Sequence, residues 1–167
     1  MASLEVERRF LIEMPSRAAL LARPGAVLYR ITQTYLLSEK GVTERVRRRE
    51  GKDGTVYTHT KKLRLSAASA HEEERTVTEE EYARLLLRKD PERIPIEKER
   101  ITLPYATHLL EIDIYPFWQR TALLEVELPA EDAPLQLPDF LHIHREITED
   151  GRYRNAAMAR DIPPEIL

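Results

Sequence analysis

Leu4-Glu5-Val6-Glu7-Arg8-Arg9-Phe10-Leu11-Ile12 places Glu5, Glu7 and Arg9 on one face of an extended chain and Leu4, Val6, Phe10 and Ile12 on the other. Carboxylates two residues apart on a strand point the same way, about 7 Å from each other, and repel unless solvent or a cation intervenes. A strand with one apolar face and one ionic face is therefore expected here, and the question is what the ionic face looks at.

The same period of two recurs at Tyr29–Leu37, Thr43–Arg49, Thr55–Leu63, Glu72–Val77, Glu97–Leu103, Leu109–Tyr115 and Ala122–Leu128. Lys52-Asp53-Gly54 is a hairpin turn between two of them, and the other short links suit antiparallel neighbours. Helical spacing is confined to three places. Ser16–Ala22 starts at Pro15-Ser16 and stops at Pro24-Gly25. Thr78–Arg88 has a Thr cap, Glu79, Glu80 and Glu81 at its positive end, and an apolar stripe of Tyr82, Leu85 and Leu86. About Gly151–Arg160 is rich in Ala. Ser66–Ala70 reads as a mobile loop of small residues and Pro129–Pro138 as a proline-rich connector. The fold class is α+β and mainly β, with about eight strands and a few helices.

At 167 residues, 42% of them hydrophobic, the chain suits one domain, taken as residues 1–167. Its 26 Lys and Arg against 29 Asp and Glu leave a net charge of −3, which singles out no partner, and no nucleic-acid partner is expected. The absence of cysteine excludes a disulfide framework and thiolate metal sites. No apolar signal core stands at the N-terminus, and apolar runs such as Ala18–Ala22 are too short for a membrane-spanning helix; a reducing cytoplasm fits best.

The polar faces of these strands are almost wholly ionic. Glu5/Glu7, Glu72/Glu74, Glu111/Asp113 and Glu125/Glu127 repeat acid-x-acid on four strands, while Arg45/Arg47/Arg49 and Lys98/Arg100 supply bases. Carboxylates suit Mg²⁺ or Mn²⁺, hard ions that keep water and phosphate oxygens in their remaining positions, and the bases suit phosphate. Together they are the parts of phosphoryl transfer, which relies on positioning and charge neutralisation. An ordinary one-sided sheet with charges in solvent gives the same parity, so parity alone does not separate a barrel interior from an outer surface.

Glu5-Val6-Glu7-Arg8-Arg9 resembles the opening signature, Glu-x-Glu-x-Lys, of the CYTH or triphosphate tunnel metalloenzyme superfamily. Gln33-Thr34-Tyr35-Leu36, Arg45-Val46-Arg47, Thr60-Lys61-Lys62, Glu72/Glu74, Glu97-Lys98-Glu99-Arg100, Glu111-Ile112-Asp113, Leu124-Glu125-Val126-Glu127 and Thr148-Glu149-Asp150-Gly151-Arg152-Tyr153-Arg154-Asn155 follow in the family's order. The resemblance spans essentially the whole chain and is nearest to the short, single-domain bacterial-type inorganic triphosphatases. It implies an eight-stranded antiparallel closed tunnel with a charged lumen, the apolar parity set packing outward under helices.

The resemblance implies metal ligands at Glu5, Glu7, Glu125, Glu127 and Glu111, for one or two Mg²⁺ or Mn²⁺ ions. Phosphate-binding bases would be Arg9, Arg45, Arg47, Lys62, Lys98 and Arg100, with Arg152 or Arg154 closing one end. Glu5, Glu7, Glu72, Lys98 and Asp113 are the candidate catalytic groups, with Glu74 a further lumen acid and Gln33 and Tyr35 second in rank. Arg9 departs from the family's Lys and cannot readily give up a proton; Lys62 is preferred to Lys61 because the family shows Thr-x-Lys.

The expected activity is metal-dependent hydrolysis of inorganic triphosphate to pyrophosphate and phosphate. Thiamine- or nucleoside-triphosphatase and adenylate cyclase activities are the alternatives within the family, and a non-catalytic polyphosphate-binding module the alternative of another class. The partner is a small triphosphate, no membrane is involved, and a homodimer is allowed for. His59, His71, His108, His142 and His144 lack metal-ligand spacing, Phe117 and Trp118 read as packing, and no Gly-x-Ser-x-Gly turn presents a nucleophile.

Overall fold

The computed structural model describes residues 2–165. Its elements in chain order are β1 (Ser3–Glu13), α1 (Arg17–Leu21), β2 (Val27–Tyr35), β3 (Val42–Gly51), β4 (Gly54–Arg64), β5 (Ser69–Val77), α2 (Glu79–Leu85), β6 (Ile96–Tyr105), β7 (His108–Ile114), β8 (Thr121–Glu127), β9 (Ile143–Glu146) and α3 (Asn155–Met158). The strands hydrogen-bond in the order β5-β4-β3-β2-β6-β7-β8-β1, and β1 pairs with β5 to close an antiparallel eight-stranded barrel. The eight strands read from alternation are those eight.

β9 is the addition that alternation did not mark. β1 pairs with β5 through Ser3–Val6 and with β9 through Phe10–Ile12, so β9 covers the edge of β1 where β5 has diverged. Its four residues carry one apolar side chain, Ile143, among His144, Arg145 and Glu146, too little for period two to register. Gly54, with φ +114°, ends the Lys52-Asp53 hairpin in a conformation that an L side chain rarely adopts.

The barrel packs on both sides of its wall. Outside, Val6, Phe10, Ile12, Ile101, Leu103, Leu110, Ile112, Leu124 and Val126 form an apolar cluster. Leu20 of α1 and Leu128, Leu135, Leu137 and Leu141 from the connector after β8 cover it. Helices thus cover less of the outer face than expected, because an irregular proline-rich segment does most of that work. Inside, one end is apolar: Leu11, Tyr35, Ile96, Tyr115 and Leu123 meet Trp118, Ile147, Tyr153, Met158 and Ala159. These residues close that end with the C-terminal segment rather than with charge.

Each helix is shorter than its sequence signal. Ser16 accepts from the Ala19 amide to start α1, and Thr78 from the Glu81 amide to start α2. α2 buries none of its residues and touches the barrel where Tyr82 meets Tyr57 of β4, ring centroids 4.8 Å apart. The third region is a 3-10 turn, Gly151–Tyr153, followed by the single-turn α3. Ser66–Ala70 is in part the start of β5, and it is tied down: Ala68 accepts from the Glu7 amide, and the Ala67 carbonyl accepts from Arg64 and Arg154.

Candidate functional site

Closure turns the ionic faces of all the barrel strands but β2 towards a cavity of about 370 Å³ inside the barrel. β1 contributes Glu5, Glu7 and Arg9; β3 contributes Arg45, Arg47 and Arg49; β4 contributes Lys62 and Arg64; β5 contributes Glu72 and Glu74. Lys98 and Arg100 come from β6, Glu111 from β7, Glu125 and Glu127 from β8, and Arg154, Asn155 and Ala156 from the C-terminal segment. Tyr35 and Thr43 complete a lining of nine basic and seven acidic residues. Lys62 lines the cavity, whereas Lys61 is exposed.

Register explains the electrostatics. Glu7 stands opposite Glu127, and Glu125 stands between Arg9 on β1 and Glu111 on β7. Burial, then Glu125, pushes the Glu7 carboxyl up to about 7. Burial raises Glu111 to about 7 as well, reinforced by Glu125 although Arg100 opposes it. Glu127 is raised by burial and by Glu5, and Glu5 by burial and its neighbour Glu72. For Glu125, burial also favours the neutral acid, but Arg9 and Arg100 outweigh it and hold the carboxyl at about 2.

A second group locks the basic side. Lys98 donates to Asp113 Oδ2 at 2.7 Å, and Arg100 binds Asp113 through Nε at 2.7 Å and Nη2 at 2.9 Å while giving Nη1 to Glu111 at 2.7 Å. Asp113 is fully buried; Arg100 and Lys98 overcome the effect of burial and keep it ionised. Burial pushes the Lys98 ammonium down to about 7, with Arg100 and Arg47 adding to the shift and Asp113 opposing it. Arg47 is lowered to about 10 by burial and by Arg45 and Arg100, and gives Nε and Nη2 to Gln33 Oε1 rather than to an acid.

Three expected site residues, Asp113, Arg152 and Gln33, lie apart from the cavity lining. Asp113 sits behind it, consumed by Lys98 and Arg100, and so positions bases rather than facing a ligand. Arg152 is exposed and pairs with Asp150 at 2.7 Å, which leaves Arg154 as the basic residue that the closing segment brings to the cavity. Gln33 is fully buried behind Arg47 and donates to the Tyr35 hydroxyl at 2.8 Å. Arg64 and Asn155 were not assigned roles from the sequence, nor was Arg49 beyond its place on the ionic face. Arg64 shares the parity of Lys62, a signal that was present, whereas Asn155 reaches the cavity only through the tertiary path of the C-terminus.

The donors suit a hard divalent cation. Glu5 Oε2 and Glu72 Oε2 are buried without a hydrogen bond; Lys62 Nζ lies 2.9 Å from Glu5 Oε2 without aligning one. Among the described residues, no group of three or more His, Asp or Glu is already gathered at metal-binding spacing. Water and phosphate oxygens would therefore complete a coordination shell begun by these carboxylates.

No protein-family model and no curated protein matches the chain. Among solved structures it is similar to the inorganic triphosphatase NE1496, with 27% identity, 96% of this chain and 97% of that one covered, and a TM-score of 0.58. The barrel and this near-full-length likeness support the CYTH, or triphosphate tunnel metalloenzyme, superfamily. Two more distant structures share the fold. The PH1819 protein of Pyrococcus horikoshii OT3 is 14% identical, over 77% of this chain and 80% of that one, with a TM-score of 0.57. A putative adenylate cyclase from Vibrio parahaemolyticus is 12% identical, over 76% and 79%, with a TM-score of 0.53. Within this barrel Arg9 is almost wholly buried, donating to Glu125 Oε1 at 3.1 Å and to the Tyr153 carbonyl at 2.7 Å.

Proposed function

We propose that the barrel hydrolyses inorganic triphosphate to pyrophosphate and phosphate with the help of Mg²⁺ or Mn²⁺. The observation that carries this reading is the lining itself: nine basic and seven acidic side chains with no aromatic platform for an organic group. A stacking platform would have to come from tyrosines such as Tyr29, Tyr35, Tyr105 and Tyr115. Of these only Tyr35 reaches the cavity, and it is 2% exposed. Tyr115 is buried against Trp118, Tyr105 packs on Phe140, and Tyr29 lies under Arg49. The likeness to an inorganic triphosphatase over nearly the full length of both chains supports the same substrate.

In this reading Arg45, Arg47, Arg49, Lys62, Arg64, Arg100 and Arg154 hold the phosphate oxygens, and cations fixed before substrate arrives need no reorganisation as charge shifts in the transition state. Glu5, Glu7, Glu125 and Glu127, with Glu111 or Glu72 beside them, would hold one or two ions. A bound ion would supply charge neutralisation at the phosphates and a lower pKa for water. The attacking water needs an acceptor for its proton, and whichever of the lining acids Glu111 and Glu72 is not taken up by an ion is placed for that role. Arg9 cannot serve as that base.

The test is phosphate release from tripolyphosphate, ATP, thiamine triphosphate and an RNA 5′-triphosphate, each with Mg²⁺, with Mn²⁺ and with EDTA. A clear preference for tripolyphosphate, abolished by EDTA, is expected. Preference for an organic triphosphate would move the substrate, and turnover of none would favour a binding module or a cyclase.

A further inference from the structure

We infer that Arg9 is a positioning residue that ties the C-terminal closing segment to Glu125, and that it does not bind phosphate. Every polar group of its main chain and most of its side chain's reach is directed at that segment or at that acid. The Arg9 amide donates to Thr148 Oγ1 at 3.0 Å, and its carbonyl accepts from the Ile147 amide at 2.8 Å. The guanidinium gives Nη2 to the Tyr153 carbonyl and Nε to Glu125 Oε1. Its side chain is 5% exposed.

Both partners depend on it. Among the described residues the Glu125 carboxylate has one other hydrogen bond, from Arg100 Nη2 at 3.5 Å, so the 3.1 Å bond from Arg9 is the stronger restraint on how that carboxylate points. On the other side, α3 has four residues, too few to be helical by its own propensity. Tyr153, Met158 and Ala159 dock it, together with Asn155 Oδ1, which accepts from the Tyr115 hydroxyl at 2.8 Å, and the Tyr153 carbonyl bond from Arg9.

A planar guanidinium can hold two acceptors at once in a fixed relation; a Lys ammonium offers its donors from one point and cannot reproduce that span. Arg in place of the family's Lys therefore adds a mechanical link: the closing segment and Glu125 take up their positions together, and disturbing either disturbs the other. The part of this that concerns ion binding rests on the metal role proposed for Glu125.

The test is Arg9→Lys, which keeps the charge and removes the fork, measured first without substrate. Hydrogen exchange at the Ala157, Met158 and Ala159 amides should accelerate at least about tenfold, and Mn²⁺ binding followed by electron paramagnetic resonance should weaken at least about tenfold, the usual cost of losing the partner that orients a ligand. With Mn²⁺ saturating, KM for tripolyphosphate should stay within about twofold, a smaller change than loss of a charge-assisted bond to phosphate would bring. Unchanged exchange with a raised KM would make Arg9 a phosphate ligand and overturn the inference. Faster exchange with unchanged Mn²⁺ affinity would reduce it to a structural anchor and overturn the coupling. If Arg9→Lys does not fold, Glu125→Ala removes the acceptor of the Arg9 Nε bond, breaks the link from the other side and should accelerate the same amides; unchanged exchange there contradicts the link. Absence of any Mn²⁺ binding by the unaltered protein would count against the proposed function, and the link would then stand or fall on exchange alone.

Discussion

At the scale of single residues, the site is governed by which charges are already neutralised. Asp113 is surrounded by cations, whereas Glu7 faces Glu127 and lies near Glu5 and Glu125. Glu7→Gln should therefore leave the fold intact and reduce metal-dependent turnover by about 10²-fold or more, since it removes a negative oxygen from the acid cluster; an undiminished rate would remove Glu7 from the ligand set. Arg47→Ala should act chiefly on affinity, raising KM by roughly 10- to 100-fold, the worth of a charged hydrogen bond, with a smaller change in kcat. Asp113→Asn belongs to stability: it leaves Lys98 and Arg100 facing each other and should cost about 3 kcal/mol near neutral pH. Because the folded-state pKa of Asp113 is depressed, its stabilisation is full above the unfolded value of about 4 and is lost as pH falls below it. The gap in melting temperature between the two proteins should accordingly shrink between pH 5 and pH 2.5, and a gap that does not shrink would contradict the assignment.

At the scale of elements, period two located all eight barrel strands; seven of them turn ionic residues inwards, and β1, β6, β7 and β8 back theirs with an apolar outer face. Their ionic residues Glu5, Glu7, Arg45, Arg47, Lys62, Glu72, Lys98, Arg100, Glu111, Glu125 and Glu127 all line the cavity. What periodicity could not reveal is whatever depends on tertiary position. β9 is strand because the edge of β1 is open beside it. The lumen-facing parity set changes from ionic to apolar at Leu11, Ile96 and Leu123 because the C-terminal segment docks there. Arg152 and Arg154 share a 3-10 turn and its end, and only chain direction after Tyr153 sends one to solvent and the other to the cavity. The inside-out choice itself was legible only through the family resemblance. The connector after β8 behaves as a core element, and Leu141→Ala should lower stability by about 2–5 kcal/mol, by loss of a buried side chain under the outer wall. KM for tripolyphosphate should not change, since Leu141 lies on the far side of that wall from the cavity; a changed KM would show the wall transmitting strain.

At the scale of the whole molecule, the barrel gathers sixteen charged side chains into about 370 Å³ and offsets their burial only in part with one another. Pairs such as Arg9–Glu125 and Lys98–Asp113 are satisfied; Glu7, Glu127, Arg45 and Arg47 form none of the ion pairs present among the described residues. Such a cavity gains when cation and polyanion enter together, so Mg²⁺ with tripolyphosphate or a slow analogue should raise the melting temperature more than the sum of either alone. The direct test of the central claim, that these charges form a metal-dependent triphosphatase centre, is phosphate release from tripolyphosphate by the unaltered protein and by Glu7→Gln, with Mg²⁺ and with EDTA. The account predicts rapid release that EDTA abolishes and Glu7→Gln nearly eliminates while both proteins melt at similar temperatures. Release that survives EDTA, or that Glu7→Gln leaves unchanged, would contradict it.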